Sequence, residues 1–221
     1  MGLRVHVILL TGLCSQTIAA EGGPKVAPRH VSQLGDGCSA VRAFPNMMLY
    51  AAHCGTDFTG SWSHHDWVSF DRCLSHQEAG LGSGTDIAAC RVPPDATGAP
   101  VPVSIAKSED LESGRAALIL GTGSRLGPIS DIPHIIEGVI VGTEPEIVVE
   151  FDHGETTCRG DSGGAVFVLA RGEWKLAGIV SSKHRSIGDC NWVMAEGKST
   201  VNAVRIDSAL AWLESLPVSA L

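Results

Sequence analysis

The chain has 221 residues, 44% of them hydrophobic, and a formal net charge of -8 at pH 7. This length is enough to bury a substantial core in one domain or in two fused halves. The negative charge and the lack of any cluster of Lys and Arg argue against a nucleic-acid partner, which needs cations to replace condensed counterions. The 26 Gly and 11 Pro, with short Val- and Ile-rich runs between them, predict many short strands joined by turns.

The N-terminus has the layout of a short secretory signal. Arg4 precedes an apolar stretch at 5–13, and small residues end at Ala20 before a polar segment. We therefore expect residues 1–20 to be a signal peptide, and the exported chain, secreted or periplasmic, to span residues 21–221. A buried first strand is the alternative. A membrane span is not expected, because a bilayer needs about 20 consecutive apolar residues.

Cysteine usage agrees with export. Removal of the leader removes Cys14 and leaves six cysteines, an even number that predicts three disulfides in an oxidising compartment. Zinc is the competing interpretation, but the sequence contains no CxxC pair and no HExxH motif, so we expect no metal and no cofactor. The six are Cys38, Cys54, Cys73, Cys90, Cys158 and Cys190.

Strand-forming stretches follow one another along the chain and change to a helical pattern only at the end. A Pro-rich stretch at 93–102 separates two groups of them and predicts the connection between two halves. From Ile206 to Leu216, apolar residues recur every three or four positions, which predicts an amphipathic terminal helix. The expected strands are 39–52, 67–74 and 87–92 in the first half, and 116–120, 138–141, 147–151, 165–170, 174–181 and 201–206 in the second.

The strongest local motif is the pentapeptide GDSGG at residues 160–164, with Ser162 at its centre. A serine nucleophile needs an exposed hydroxyl on a tight turn, and neighbouring glycines let backbone N–H groups approach the developing oxyanion. We therefore interpret Ser162 as a candidate nucleophile, and the N–H groups of Gly160 and Ser162 as candidate oxyanion donors. An ordinary Gly-rich hairpin is the alternative for this motif alone.

Two further residues have the chemistry that such a serine requires. A serine hydroxyl needs an imidazole to take its proton, and His53 ends an extended apolar segment in the string AAHC. A buried carboxylate is costly unless it is paired, and orienting an imidazole is one such pairing; Asp86 begins the apolar run DIAAC. Asp66 and Asp71 are the competing carboxylates, and a turn residue before a strand is the alternative for Asp86.

The chain order His53, Asp86, Ser162, the strings AAHC, DIA and GDSGG, and the placement of the cysteines together resemble the chymotrypsin-like serine protease family, also called the trypsin family. The resemblance implies an all-β fold of two antiparallel six-stranded barrels with the active site between them, followed by a C-terminal α-helix. The expected limits are 21–100 for the first barrel, 101–203 for the second and 204–217 for the helix.

The resemblance also implies roles for individual residues. His53 is the general base and then the general acid, Asp86 orients it, and Ser162 is the nucleophile, with Gly160 and Ser162 forming the oxyanion hole. The strand that ends at Ser181 pairs with the substrate backbone. The string LGTG at 120–123 is similar to a glycine pair of the family's second barrel, and the implied disulfides are Cys38–Cys54 and Cys158–Cys190, which leaves Cys73 with Cys90.

The chain departs from the family at its expected start. Typical relatives begin, after cleavage, with an Ile-Val-Gly-Gly-like sequence whose amino group pairs with the Asp before the nucleophile, here Asp161. No such sequence is present. Cleavage at Arg29 would leave eight or fewer residues before Cys38, a short tether at about 3.3 Å per residue. We hypothesise that activation does not use the usual N-terminal insertion, or that the enzyme is active once the signal peptide is removed.

A second departure concerns specificity, for which the expected substrate-binding residues are Thr156, Ser181 and Lys183. Relatives that cut after Arg or Lys carry an Asp six positions before the nucleophile, where this chain has Thr156. Lys183 follows Ser182 where the family has Trp-Gly, and a basic side chain reaching the pocket would favour an acidic or polar residue before the scissile bond. An exposed basic loop is the alternative.

The sequence therefore predicts a secreted serine endopeptidase that cuts protein or peptide substrates and is not trypsin-like in primary specificity. A catalytically silent homologue that acts as a binding module is the alternative. An α/β-hydrolase esterase is excluded by chain order, because the histidine is last in that fold and His53 is first here.

Overall fold

A computed structural model describes residues 30–216, except for 36, 64–65, 71, 94–95, 97–98, 101, 125–131, 152–155 and 185–197. The expected signal peptide at 1–20 and the expected disulfide partner Cys190 lie outside the described residues. Within the described part of the chain, no helix is long and apolar enough to cross a bilayer.

Seven antiparallel strands form the N-terminal sheet, in the spatial order β5-β4-β1-β2-β3-β7-β6. Four pairs of consecutive strands form hairpins, namely β1–β2, β2–β3, β4–β5 and β6–β7; β2 and β3, for example, are joined by the two residues Pro45 and Asn46. The strands are β1 Val31–Leu34, β2 Cys38–Phe44, β3 Met47–Tyr50, β4 Gly60–Ser63, β5 Asp66–Ser69, β6 Cys73–Ser75 and β7 Ala88–Arg91.

Six antiparallel strands form a closed barrel in the C-terminal half, in the order β10-β13-β12-β11-β8-β9. Burial alternates along β10, as expected for a strand of a packed barrel: Ile147, Val149 and Phe151 point into the core, whereas Val148 and Glu150 are only partly buried. The strands are β8 Ala116–Gly121, β9 His134–Gly142, β10 Ile147–Phe151, β11 Ala165–Ala170, β12 Glu173–His184 and β13 Ser199–Arg205, and the helix α1 Ile206–Ser215 follows directly.

The expected all-β class with a C-terminal helix is confirmed, but the strands of the N-terminal half differ from those expected. The stretch expected at 39–52 forms the two strands β2 and β3, and β1 and β4 were not predicted. The stretch expected at 67–74 forms β5, which ends at Ser69, and β6, which begins at Cys73. The chain changes partner at this break, because β5 pairs with β4 whereas β6 pairs with β7. The two strands at opposite ends of the sheet order are therefore consecutive in the chain, so the sheet is strongly curved and half-closed.

An apolar core joins the two halves and the helix. It combines residues of the first sheet, such as Leu49 and Ile87, with residues of the barrel, such as Phe167 and Ile179, and with Leu213 of α1. All five are at most 4% exposed. Because burying such side chains contributes about 1.5–3 kcal/mol each, this shared core holds the strand ends of the two halves against one another.

Candidate active site

His53 lies directly after β3, on a short 3-10 turn that spans Ala52–Cys54. The backbone N–H of Cys54 bonds the carbonyl of Ala51, and Cys54 is joined to Cys38 of β2 by a disulfide. The turn is thus tied to β2 and β3 on both sides, while 31% of the His53 side chain is exposed. This support presents the imidazole at the surface on a fixed backbone.

Asp86 lies just before β7 and is fully buried. Its carboxylate accepts a hydrogen bond from the backbone N–H of His53 at 2.8 Å, and Oδ2 lies 2.7 Å from Nδ1 of the His53 ring. The hydroxyl of Ser181 donates to the same Oδ2 at 2.6 Å. A carboxylate in this position favours the tautomer with the proton on Nδ1, which leaves Nε2 free to accept a proton.

The surroundings of Asp86 stabilise its charged form. Burial alone raises the pKa of this carboxyl, but the hydrogen bonds from the His53 ring, the Ser181 hydroxyl and the His53 backbone together outweigh burial. The pKa of Asp86 is therefore lowered from its ordinary value. An anionic Asp86 can stabilise the imidazolium that forms when His53 takes a proton.

Ser162 lies on the tight turn that leads into β11. Gly160 and Gly163 on either side have φ values of 104° and 81°, which only glycine adopts without strain. The carbonyl of Ser162 accepts a hydrogen bond from the N–H of Ser39 at 2.7 Å, and a side chain at Gly163 would collide with the Ser39 carbonyl. The backbone of the turn therefore packs closely against the backbone of the first sheet.

The turn of Ser162 and the pair of His53 and Asp86 are connected through adjacent residues of β12. The N–H of Gly163 donates to the carbonyl of Val180 at 2.7 Å, and the next residue is Ser181, which bonds Asp86. Among the hydrogen bonds of the described residues, none joins the Ser162 hydroxyl to His53. In uncomplexed enzymes that contact often tightens only when substrate binds.

A buried hydroxyl network, which no sequence pattern predicted, also fixes the turn of Ser162. Ser39 Oγ donates to the carbonyl of Gly160 at 2.7 Å and accepts from the N–H of Thr122 at 2.9 Å. Ser39 and Gly160 are 121 positions apart in the chain. Ser39 follows Cys38 and Thr122 lies between two glycines, but a lone hydroxyl residue carries no motif that could have revealed the contact.

Asp161 is the second buried carboxylate of the site. Its side chain is 1% exposed and accepts hydrogen bonds from the backbone N–H groups of Gly123 at 2.9 Å and Cys158 at 2.6 Å. Nε2 of His134, the first residue of β9, lies 3.4 Å from Oδ1. From the sequence, Asp161 was identified only as the residue before the nucleophile, and His134 was not identified.

Glu146 is a third buried carboxyl, on the loop between β9 and β10, and is 3% exposed. Burial raises its pKa and the charge of Asp86 raises it further, against opposing hydrogen bonds from the Gly84 backbone and the Asn202 side chain. One carboxylate oxygen, Oε1, has no hydrogen-bond partner. Two neighbouring carboxyls thus have pKa values shifted in opposite directions.

The expected substrate-binding residues are only partly described. Thr156 is half-buried, and Ser181 is 3% exposed and bonds Asp86. Lys183 lies in β12, where its backbone pairs with Val201, and its side chain lies outside the description.

The competing carboxylates and the cysteines can be placed as well. Asp66 is exposed on β5 in the β4–β5 hairpin, where it pairs with Ser63, and Asp71 lies outside the described residues. Disulfides join Cys38 to Cys54 and Cys73 to Cys90. Cys158 is also disulfide-bonded. His53, Cys38 and Cys54 lie close enough for a metal site, but the disulfide occupies both sulfur atoms.

Comparison with known proteins agrees with this architecture. The family model described as Trypsin matches residues 16–204. No curated protein matches the sequence. Among solved structures, the atomic-resolution structure of HBP is similar, with a TM-score of 0.65 and 14% sequence identity over 88% of this chain and 95% of that chain. Likeness at this level of identity is a likeness of fold.

Proposed function

Since the chain belongs to the trypsin family, we propose that it is an active serine endopeptidase whose catalytic residues are His53, Asp86 and Ser162. The observation that carries the proposal is the contact between His53 and Asp86. Asp86 is fully buried, bonds both the ring and the backbone of His53, and has a lowered pKa. A buried anion that orients an exposed imidazole is the arrangement that activates a serine.

In the proposed mechanism, the Ser162 hydroxyl oxygen attacks the carbonyl carbon of the scissile peptide bond. His53 Nε2 takes the hydroxyl proton, and the new imidazolium is stabilised by Asp86. The carbonyl oxygen becomes an oxyanion, which the N–H groups of Gly160 and Ser162 stabilise; one such donor contributes about 10²–10³-fold in rate.

The tetrahedral intermediate then collapses. The C–N bond breaks, the imidazolium of His53 gives its proton to the leaving amine, and an ester links the substrate acyl group to Ser162. A water molecule next attacks this ester, with His53 again as base, and releases the carboxylic acid and the free hydroxyl. His53 thus serves as base and then as acid in both halves of the cycle.

The proposed substrates are proteins or peptides, and the proposed primary specificity is not trypsin-like. Thr156 stands where an Asp would be needed to pair with Arg or Lys, so no acidic side chain is available at that position. An uncharged position cannot offset the desolvation of a buried basic side chain. Lys183, two residues after Ser181, is proposed to favour acidic or polar residues.

Export is part of the proposal. Two disulfides among the described residues, and a fifth disulfide-bonded cysteine, Cys158, support an oxidising compartment. We propose that the signal peptide covers residues 1–20 and is removed near Ala20.

A fluorophosphonate probe tests the proposal, because it reacts with serines that are activated by a neighbouring base. We expect secreted protein to be labelled, Ser162→Ala and His53→Ala to abolish labelling, and Asp86→Asn to slow it by about 10³–10⁴-fold through the wrong tautomer. Asp66→Asn is the matched control, since Asp66 is exposed on β5, and it should label like wild type. Folded wild type that does not label would contradict the proposal and favour a binding module.

A further inference from the structure

Asp161 buries its carboxyl group away from solvent. It directly precedes the proposed nucleophile, and its side chain is 1% exposed. Burying an ionised carboxylate costs several kcal/mol unless it is both hydrogen-bonded and paired with a cation. The N–H groups of Gly123 and Cys158 supply hydrogen bonds but no full charge.

Two glycines, Gly121 and Gly123, leave room for this carboxylate. A Cβ at Gly121 would collide with Oδ1 of Asp161, and a Cβ at Gly123 would lie 2.6 Å from the carboxyl carbon. Any other residue at either position would have to displace the carboxylate. Gly121, the last residue of β8, and Gly123 therefore leave the space that the carboxylate of Asp161 occupies.

His134 brings an imidazole ring to this carboxylate. Its backbone pairs with Gly121 across the β8–β9 ladder, and its Nε2 lies 3.4 Å from Oδ1 of Asp161. This nitrogen is buried, is within ion-pair distance and makes no hydrogen bond of acceptable geometry. If the ring is protonated, Nε2 of His134 gains a hydrogen-bond acceptor, and the buried carboxylate of Asp161 gains a cation.

Asp161 lies at the centre of the turn that carries the proposed nucleophile Ser162; this turn, residues 158–164, is the catalytic turn. Cys158 and Asp161 bond each other twice, from the N–H of Cys158 to Oδ2 and from the N–H of Asp161 to the carbonyl of Cys158. Gly164 donates to the carbonyl of Asp161. Displacement of this side chain would therefore move Gly160 and Ser162, the two proposed oxyanion donors.

We propose that His134 is the counter-ion of Asp161 and a positioning residue for the oxyanion hole, in place of a newly formed amino terminus. This inference rests on the proposed function. It accounts for the missing Ile-Val-Gly-Gly-like sequence, because a cation built into β9 needs no cleavage to reach Asp161. The enzyme is then competent without N-terminal insertion.

Two substitutions at one position test this inference. His134→Gln keeps a polar side chain of similar size without the charge, and His134→Lys keeps a positive charge. We expect His134→Gln to lower kcat and the rate of fluorophosphonate labelling by about 10²-fold, as for loss of an oxyanion donor, with a much smaller change in KM. His134→Lys should restore both rates to within about tenfold of wild type.

His76→Gln is the matched control, because His76 is a partly buried histidine whose ring packs on Trp212 of α1, and no hydrogen bond or ion pair among the described residues joins it to Asp161 or Ser162. It should leave the labelling rate unchanged. Thermal unfolding of all variants separates a positioning effect from a loss of folding.

Selective acetylation of the α-amino group of the active wild type gives a test that needs no variant. We expect full activity after acetylation. Loss of activity would overturn the inference, because the amino terminus would then be the counter-ion. Wild-type or faster labelling of His134→Gln would overturn it as well. Absence of wild-type labelling would instead remove the proposed function itself.

Discussion

The hydroxyl of Ser181 and the ring of His53 contact the same oxygen of Asp86, and the Ser181 contact is the shorter of the two, 2.6 Å against 2.7 Å. Ser181 comes from the C-terminal barrel, whereas His53 and Asp86 come from the N-terminal sheet. The orientation of the proposed catalytic histidine therefore depends on both halves of the molecule.

Replacement of Ser181 by alanine should weaken catalysis without abolishing it. One of the hydrogen bonds that lower the pKa of Asp86 is lost, so the carboxylate is less well held and the imidazolium less well stabilised. A hydrogen bond to a charged group contributes about 1.5–3 kcal/mol, so we expect kcat/KM to fall by about 10–100-fold. Ser208→Ala, at an exposed position of α1, is the control and should match wild type.

The same variant should show a pH-dependent loss of stability. The lowered pKa of Asp86 means that its contribution to stability is present above the unfolded value, about 3.9, and disappears as the pH falls through the folded pKa. Urea unfolding should therefore separate Ser181→Ala from wild type at about pH 7 and much less at about pH 3. An equal difference at both values would contradict the assignment.

Loss of the Ser39 hydroxyl should affect both stability and catalysis. Ser39→Ala leaves the carbonyl of Gly160 without its donor and the N–H of Thr122 without its acceptor, which should cost about 1–3 kcal/mol. Because Gly160 is a proposed oxyanion donor, labelling by fluorophosphonate should slow by about tenfold.

Ser32→Ala is the matched control for Ser39. Ser32 is also fully buried in the first sheet and bonds Ser61 at 3.0 Å. Its loss should lower the free energy of unfolding and leave the labelling rate of Ser162 unchanged. Equal labelling rates for the Ser39 and Ser32 variants would argue against a role of Ser39 in the catalytic turn.

Glu146→Gln should stabilise the protein at neutral pH. Burial raises the pKa of Glu146, so the favourable contribution of its neutral form is present below the unfolded value, about 4.3, and is lost as the pH rises through the folded pKa. Glutamine is neutral throughout, so we expect Tm to rise by about 2–4 °C at about pH 7 and by almost nothing at about pH 4. Exposed Glu137→Gln is the control, and a pH-independent gain for Glu146→Gln would contradict the argument.

Local patterns were sufficient for the fold class and for the candidates His53, Asp86 and Ser162. Strand content, the terminal helix and the short strings around these residues depend on nearest neighbours, and such signals survive in a single sequence. The division of the stretch 67–74 into β5 and β6 was not predicted, because the two strands differ in their pairing partner, and pairing with distant strands is not visible in the local side-chain pattern.

The contacts that complete the site were decided by tertiary structure alone. Ser39 bonds Gly160 from 121 positions away, His134 reaches Asp161 from β9, and Glu146 is buried beside the loop that carries Asp86. Each is a single polar residue whose chemistry becomes specific only when distant strands bring it next to a buried partner. The sequence by itself determined which groups could do chemistry. The packing of the two halves determined in which direction the pKa values of Asp86 and Glu146 are shifted and which residues hold the turn of Ser162, because burial and hydrogen bonding depend on the folded surroundings.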